Sequence, residues 1–444
     1  MEDLLAARMQ MALSLGLHII FACIGMAMPW FMAVAEWKWL RTGDASYLDL
    51  AKVWSKGVAV LFAVGAVSGT VLSLELGLLW PEFMRHAGPI IGMPFSWEGT
   101  AFFIEAIAIG LYLYGWQRLS PWVHWAAGLV VGFSGVASGV LVLSANAFMN
   151  SPAGFVYQDG RFTDIDPVAA MFNAAWPTQA LHMVLAAFAS TGFAAAGIHA
   201  LRLLSGAEHP FHRHGLRIAL TFGALAAIVQ PLSGDVSAKG IAERQPAKLA
   251  AAEAHFHTTK RAALLIGGIP DVEQQTVNFG IELPGLLSFL AHGDIDAEVT
   301  GLDQISRSDW PPVVVTHLAF QTMVFSGSVM AGVGLIFLFL SYRKPRALEH
   351  RRFLWLVVGA SGLGFLATEA GWVVTEVGRQ PFIIYGIMRT AEAITPMPGL
   401  IWPLLGTIVA YAVLSLSSLA VMVRLILHCE SGAAASRPVE VGHG

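Results

Sequence analysis

Charge is scarce in this sequence. Of its 444 residues only 13% are Asp, Glu, Lys or Arg, against about 25% in an ordinary soluble domain. That scarcity excludes a cytosolic globular protein, a disordered chain and a nucleic-acid binder with a basic face. The 26 Lys+Arg and 30 Asp+Glu leave a formal charge of −4. Cysteine is nearly absent as well. Cys23 and Cys429 are too few and too far apart for a disulfide framework. No Cys-x-x-Cys-His occurs, which excludes covalent haem attachment. Nor is a cleavable leader expected. Met1-Glu2-Asp3-Leu4-Leu5 is acidic where a secretory signal is basic, and no small-residue cleavage site follows the first apolar run. That run is expected to stay as a membrane helix.

What is abundant is apolar, at 56% of residues, and the class it predicts is an all-α polytopic membrane protein. Stretches long enough to cross about 30 Å of hydrocarbon lie near 9–36, 56–80, 96–116, 122–147, 177–203, 214–235, 313–341, 353–377 and 399–428. These make nine expected transmembrane helices. An odd number puts the termini on opposite sides. With the N-terminus outside, the inner loops and tail hold fifteen Lys and Arg and the short outer segments five. The positive-inside rule therefore predicts N-terminus outside and C-terminus cytoplasmic. One long outer loop, 236–312, separates helices 6 and 7, and connections of that length are uncommon unless functional or disordered. Within it Pro246 predicts a short helix through Glu253. The expected division is 1–235 (helices 1 to 6), 236–312 (the loop), 313–428 (helices 7 to 9) and 429–444 (a disordered cytoplasmic tail).

Polar groups at membrane depth are costly, so each asks for a reason. The first span carries His18 and the fifth His182. The third carries Glu98 and Glu105, seven apart and hence on one helix face. The seventh carries His317, Gln321 and Met323, and the eighth Glu369 and Glu376. At ~1.5 Å per residue, His18, Glu105, His182, Met323 and Glu369 share one layer, roughly 7–15 Å below the outer surface. Singly, each has a bland reading. A lone His often bonds a neighbouring helix, a Met packs, and Glu98 sits at a span end as an interfacial charge. His199, His317 and His428 read as interfacial. Together, a one-sided layer of His, Met and Glu points to redox cofactors with a proton path, although a proton-coupled transporter could share it.

Several separate strings carry more than their spacing. They are Arg8-Met9-Gln10 ahead of Leu17-His18, Trp97-Glu98-Gly99 with Phe102-Phe103-Ile104-Glu105, and Ala145-Asn146-Ala147-Phe148-Met149. Further on stand Gly234-Asp235, Gln245-Pro246-Ala247-Lys248-Leu249-Ala250-Ala251-Ala252-Glu253, Glu369-Ala370-Gly371-Trp372 and Gly378-Arg379-Gln380-Pro381. In this order and on these spans, the chain resembles subunit I of the cytochrome bd quinol oxidases over essentially its whole length. The strings Ser73-Leu74-Glu75-Leu76-Gly77 and Gly234-Asp235-Val236-Ser237-Ala238-Lys239 resemble the cyanide-insensitive branch with a short loop.

The resemblance implies a bacterial plasma-membrane quinol oxidase that reduces O2 to water with three haems: a low-spin haem b, a high-spin haem b, and haem d or a further haem b. By the same carry-over, His182 and Met323 look like the axial ligands of the low-spin haem. His18 and Glu369 look like ligands of the high-spin pair. Glu98 and Glu105, with Glu369, look like the carboxylates serving oxygen reduction, and Arg379 and Gln380 belong to the cofactor-binding signature. Lys248 and Glu253 match the quinol positions of the outer loop, the family's Q-loop. Implied partners are subunit II and a small single-span subunit. Three positions depart from the usual pattern: Phe382 for a Trp, Gln321 for an Arg two before the Met, and Phe365 for a Trp four before the Glu. Two other functions fit some of the residues. One is a quinol-linked cytochrome b with a non-oxygen acceptor, and the other is a transporter using the intramembrane Glu residues alone.

Overall fold

In the computed structural model, residues 3–158, 160–207 and 209–435 are described, with side chains through residue 426. Thirteen α-helices occur among them. Long helices α1 (Asp3–Thr42), α2 (Ala45–Leu79), α3 (Pro81–Tyr114) and α4 (Pro121–Asn150) form a first antiparallel group. A short α5 (Pro167–Met171) leads to α6 (Trp176–Leu204) and α7 (Pro210–Arg244). The long connection opens with α8 (Pro246–Ala252) and contains α9 (Leu286–His292). The chain then returns through α10 (Val313–Arg343), α11 (Arg351–Ala360), α12 (Leu363–Val377) and α13 (Ile401–Ala435).

The helix ends follow local chemistry. Pro81, Pro121, Pro210 and Pro246 each open a helix, where the missing N–H is no loss and φ is already helical. Asp44 caps α2 by accepting from the Ser46 N–H at 2.9 Å. Helices cross closely where residues are small, as membrane packing requires. A Cβ on Gly192 of α6 would fall 2.6 Å from the Gly223 Cα of α7, so this contact admits only glycine.

Eight helical segments among the described residues are long and apolar enough to cross a membrane. The stretch expected as the third span lies inside α3, which has the length but carries Glu98 and Glu105 in its apolar half. The expected eighth span is broken at Ser361–Gly362 into α11 and α12. The tail expected to be disordered, 429–444, continues α13 as far as Ala435; residues 436–444 and the side chains of His428 and Cys429 lie outside the described residues.

The connection between α7 and α10 is compact. Three two-stranded antiparallel ribbons pair Thr259–Lys260 with Glu298–Val299, Leu264–Ile266 with Ile281–Leu283, and Ile269–Asp271 with Thr276–Asn278. Phe256, Leu302 and Val313 pack on Ala250 and Ala251 of α8, while Leu287 and Ala291 of α9 pack near Leu249. This connection, the chain start and the 378–400 segment gather at one end of the bundle, here called the loop face. Asp3 accepts from the Leu400 N–H at 2.9 Å, Leu79 from the Thr395 N–H at 2.9 Å, and Asn150 from Lys248 at 2.5 Å.

Candidate functional site

The two histidines singled out from the sequence are held in the same way. His18 of α1 has Nδ1 3.0 Å from Ser68 Oγ of α2, and His182 of α6 has Nδ1 2.8 Å from Ser233 Oγ of α7. Each serine hydroxyl already donates to a backbone carbonyl three residues back, Ser68 to Gly65 and Ser233 to Gln230. A hydroxyl has one proton, so each serine oxygen must accept from the ring. Each imidazole therefore carries its hydrogen on Nδ1 and offers Nε2 as a lone pair. That is the tautomer a metal ligand needs, set by an outer hydrogen bond.

All four ligand-type side chains lie against glycines of neighbouring helices. A Cβ would meet His18 Cε1 at 2.9 Å from Gly69, Met323 Sδ at 3.1 Å from Gly371, Glu369 Oε2 at 3.0 Å from Gly16, and His182 Cε1 at 3.6 Å from Gly234. Glu369 Oε1 is buried without a hydrogen-bond partner. Ile19, Cys23, Met183, Ala187, Phe365 and Trp372 form one small apolar cluster among them. Glu369 of α12 thus faces α1 and Met323 of α10 faces α12, while His18 of α1 faces α2 and His182 of α6 faces α7.

On α3, Glu105 is buried, with Oε1 3.2 Å from where a Cβ on Gly135 of α4 would stand. Glu98, two turns along, is half-buried and accepts from Ser138 Oγ at 2.9 Å. Ser138 keeps Glu98 turned toward the α3–α4 seam, so both carboxyls face the bundle.

At the loop face a chain of polar contacts links the connection to two spans. Lys248 of α8 donates to Asn150 Oδ1, and Asn150 Nδ2 donates to Asn146 Oδ1 at 3.0 Å. Asn146 donates to Glu376 of α12, whose other oxygen accepts from Arg379 at 2.5 Å. Gln380 accepts from Thr390 at 2.9 Å. Lys248, Glu253 and Arg379 are all buried. Burial, helped by the nearby Arg379 charge and opposed by Glu376, lowers the Lys248 ammonium to about 7. Burial alone raises the Glu253 carboxyl to about 8. Glu253 Oε2 and the Arg379 Nε and Nη1 atoms have no partner, so each presents an unused hydrogen-bonding position to whatever sits beside it.

Two residues of α10 clamp the connection. The fully buried His317 bridges the Ala252 and Gly267 carbonyls at 2.8 and 3.2 Å. His317, one turn into α10, thus ties the span end to the loop. Gln321 accepts from the Gly267 N–H and donates to the Leu265 carbonyl, which uses both ends of an amide that an arginine could not replace. His199, five residues from the end of α6, is also buried, with Nδ1 3.1 Å from His212 Nδ1. Ser68, Ser233 and Asn150 carried no signal in the sequence. Asn146 stood in a quoted string, and only its four-residue spacing from Asn150 hinted at a shared face.

The fold and site define a helical membrane protein whose ligand-type side chains are dispersed singly over several spans, as a redox bundle requires. A family model described as cytochrome bd terminal oxidase subunit I matches residues 6–429. The putative cytochrome bd menaquinol oxidase subunit I of Bacillus subtilis (strain 168) is 38% identical over 408 residues, covering 89% of this chain and 90% of that one. The cytochrome bd-II ubiquinol oxidase subunit 1 of Escherichia coli (strain K12) is 27% identical, covering 87% and 88%. The structure of bd oxidase from Geobacillus thermodenitrificans matches with a TM-score of 0.91 at 37% identity, covering 96% of this chain and 99% of that one. The chain belongs to the cytochrome bd terminal oxidase subunit I family. It is an oxidoreductase subunit of a bacterial respiratory complex, a multi-span protein of the plasma membrane that works with subunit II.

Proposed function

We propose that this chain oxidises a membrane quinol at its loop face and supports reduction of O2 to water, with His182 and Met323 holding a low-spin haem b and His18 and Glu369 holding two high-spin haems. The observation that carries this reading is the matched pair of serine-held imidazoles, each presenting Nε2. A single imidazole nitrogen of this kind would suit a haem iron, which takes few of its ligands from the chain. The open Glu369 Oε1 and the unpartnered N–H groups of Arg379 fit an iron and an acidic ring substituent respectively. Bound there, the haems would supply one-electron transfer from quinol and an iron with an open position for oxygen.

The protein's own groups do the rest. Lys248 and Glu253 hold the quinol head group, and Glu253 takes a hydroxyl proton. Gln380 fixes the turn that carries Arg379. Glu98 and Glu105 bring protons to the oxygen site. Their supply from the opposite face has a candidate start in the buried Glu36–His124 pair (2.7 Å), beside Tyr112, which lies two turns from Glu105 on α3. In this reading α3 also spans the membrane, as the third of nine spans, the N-terminus and the 236–312 loop are outside, and residues 1–235 and 313–428 form the membrane unit. The third haem is d or b, and a small single-span subunit accompanies subunit II. Quinol protons then leave outside while protons for water come from the cytoplasm, building membrane potential without a conformational pump. Purified complex in sealed vesicles tests this. Quinol oxidation should generate a potential, and its absence during steady oxygen consumption would refute the reading. Pyridine haemochrome analysis of the same sample should give three haems per complex.

A further inference from the structure

The Glu75 carboxyl plays no part in the function above, yet it occupies the most unusual polar site in the bundle. Gln10 and Ser14 of α1, Glu75 of α2 and Tyr411 of α13 are exposed by only 6, 0, 4 and 4%. Gln10 Nε2 donates to Glu75 Oε1 at 2.9 Å. Four oxygens in this cluster lack a well-formed hydrogen bond, Gln10 Oε1, Ser14 Oγ, Glu75 Oε2 and Tyr411 Oη, with Ser14 in only weak hydrogen-bonding contact with Glu75 and Tyr411. Ser14 lies beside both Glu75 and Tyr411. Among the described residues no lysine or arginine pairs with Glu75. An uncompensated carboxylate at this depth is far costlier than a neutral acid. With Oε1 already accepting from Gln10, the acid hydrogen belongs on Oε2. One buried water, which needs two to four polar neighbours, would satisfy all four oxygens.

Gln10, Ser14 and His18 succeed one another at four-residue steps on one face of α1, and Ser68 and Glu75 stand seven apart on α2. The cluster therefore continues the His18–Ser68 seam toward the loop face. We propose that Glu75, with Gln10, Ser14 and Tyr411, forms a protonatable, water-holding site whose carboxyl proton responds to the redox state of the iron bound through His18. This rests on His18 being a haem ligand. Gln10 stands eight residues from His18, roughly 12 Å along the helix. One elementary charge at that distance, at an effective permittivity of about 20, changes an acid's dissociation constant by about tenfold.

Redox-difference infrared spectroscopy on the whole purified complex tests the proposal. The wild type should show the carbonyl band of a protonated carboxylic acid that shifts between oxidised and reduced states. Glu75→Gln should lack it, and Glu75→Asp should move it, with visible haem spectra unaltered in both. A wild-type spectrum whose acid bands persist in Glu75→Gln, or a Glu75 band that ignores haem reduction, would overturn it. The visible spectrum of the same wild-type sample separates the two ideas. If the His18-dependent haem is missing, the underlying ligand assignment fails; if it is present with Glu75 silent, only this inference fails.

Discussion

The glycines facing the candidate ligands allow a graded test of the haem assignment. Consider Gly69→Ala. Its Cβ would stand 2.9 Å from His18 Cε1, where carbon–carbon contacts settle at about 3.5–4.0 Å. The ring must therefore give by roughly 0.6–1 Å, and it has little freedom to do so. Its Nδ1 is tied to Ser68, the residue next to Gly69 on the same helix, so retreat from the new methyl lengthens the bond that orients the ring. Overpacking of this kind costs about 1–3 kcal/mol, and loss of an outer-shell bond costs about 10–100-fold in metal affinity. Helix propensity works the other way, since alanine is favoured over glycine by about 1 kcal/mol, so unfolding of α2 is not the expected route to any loss. At Gly371 the methyl meets Met323 Sδ at 3.1 Å, part of a flexible chain that can shift. At Gly234 the approach to His182 is 3.6 Å, an ordinary contact.

The three substitutions should therefore rank Gly69→Ala, then Gly371→Ala, then Gly234→Ala. The assay is the purified complex, read by haemochrome content and by reduced-minus-oxidised and carbon monoxide difference spectra. Gly69→Ala should lose or shift a high-spin signal and keep the low-spin one. Gly371→Ala should shift the low-spin band slightly, and Gly234→Ala should match wild type. An unaltered Gly69→Ala spectrum beside a disturbed Gly234→Ala spectrum would refute the ligand geometry.

Further tests address other parts of the site. Ser233→Ala removes the acceptor that fixes the His182 tautomer and should weaken low-spin haem retention about 10–100-fold, measured by haem loss to an apo-acceptor. Because Glu253 is protonated below about 8, its base form grows as pH rises. Quinol kcat/KM should climb toward pH 8 in wild type, and that limb should vanish in Glu253→Gln. Asn150→Ala takes away the acceptor of a buried lysine, a cost of about 1–3 kcal/mol. Roughly a tenfold rise in quinol KM with normal haem content is expected, and an unchanged KM would detach the asparagine chain from the quinol site.

Eight of the nine expected spans were legible because a run of apolar residues has few alternatives in a chain so poor in charge. Their ends were not. α3 begins at Pro81, well before the expected 96, and keeps Pro89 and Pro94 inside it. α7 runs to Arg244 rather than 235. The α7 extension is polar and the α3 extension is broken by Pro and Gly, and both gain stability by packing at the loop face, Phe83, Ala87, Ile90 and Ile91 of α3 in one cluster and Ile241 and Ala242 of α7 in another. His18, His182, Glu105 and Glu369 stood out because ionisable groups at membrane depth are expensive. Their supports did not, since Ser68 and Ser233 are ordinary residues whose meaning comes from a partner fifty or fifty-one positions away. Gln321 registered as a departure from a pattern; its reason, two backbone contacts to the 265–267 turn, exists only in three dimensions.

The same limit explains Lys248 and Glu253. Nothing in their sequence surroundings signals burial, and the fold buries both while pairing neither with the other. That separation has a chemical consequence. In a mutual ion pair each would stabilise the other's charge, driving the lysine further up and the carboxyl further down, away from neutrality. Buried apart, with the lysine on a neutral asparagine and the carboxyl left open, they move toward each other, to about 7 and about 8. Both then exchange protons near neutral pH, the range in which a base for a quinol hydroxyl is most effective. Introducing a pairing partner should undo this. An acid at Asn150, as in Asn150→Asp, would hold Lys248 charged, raise the pH at which it loses its proton, and move any Lys248-dependent limb of quinol oxidation to higher pH, keeping the acceptor for Lys248 that Asn150→Ala removes while both variants lose the Nδ2 donation to Asn146.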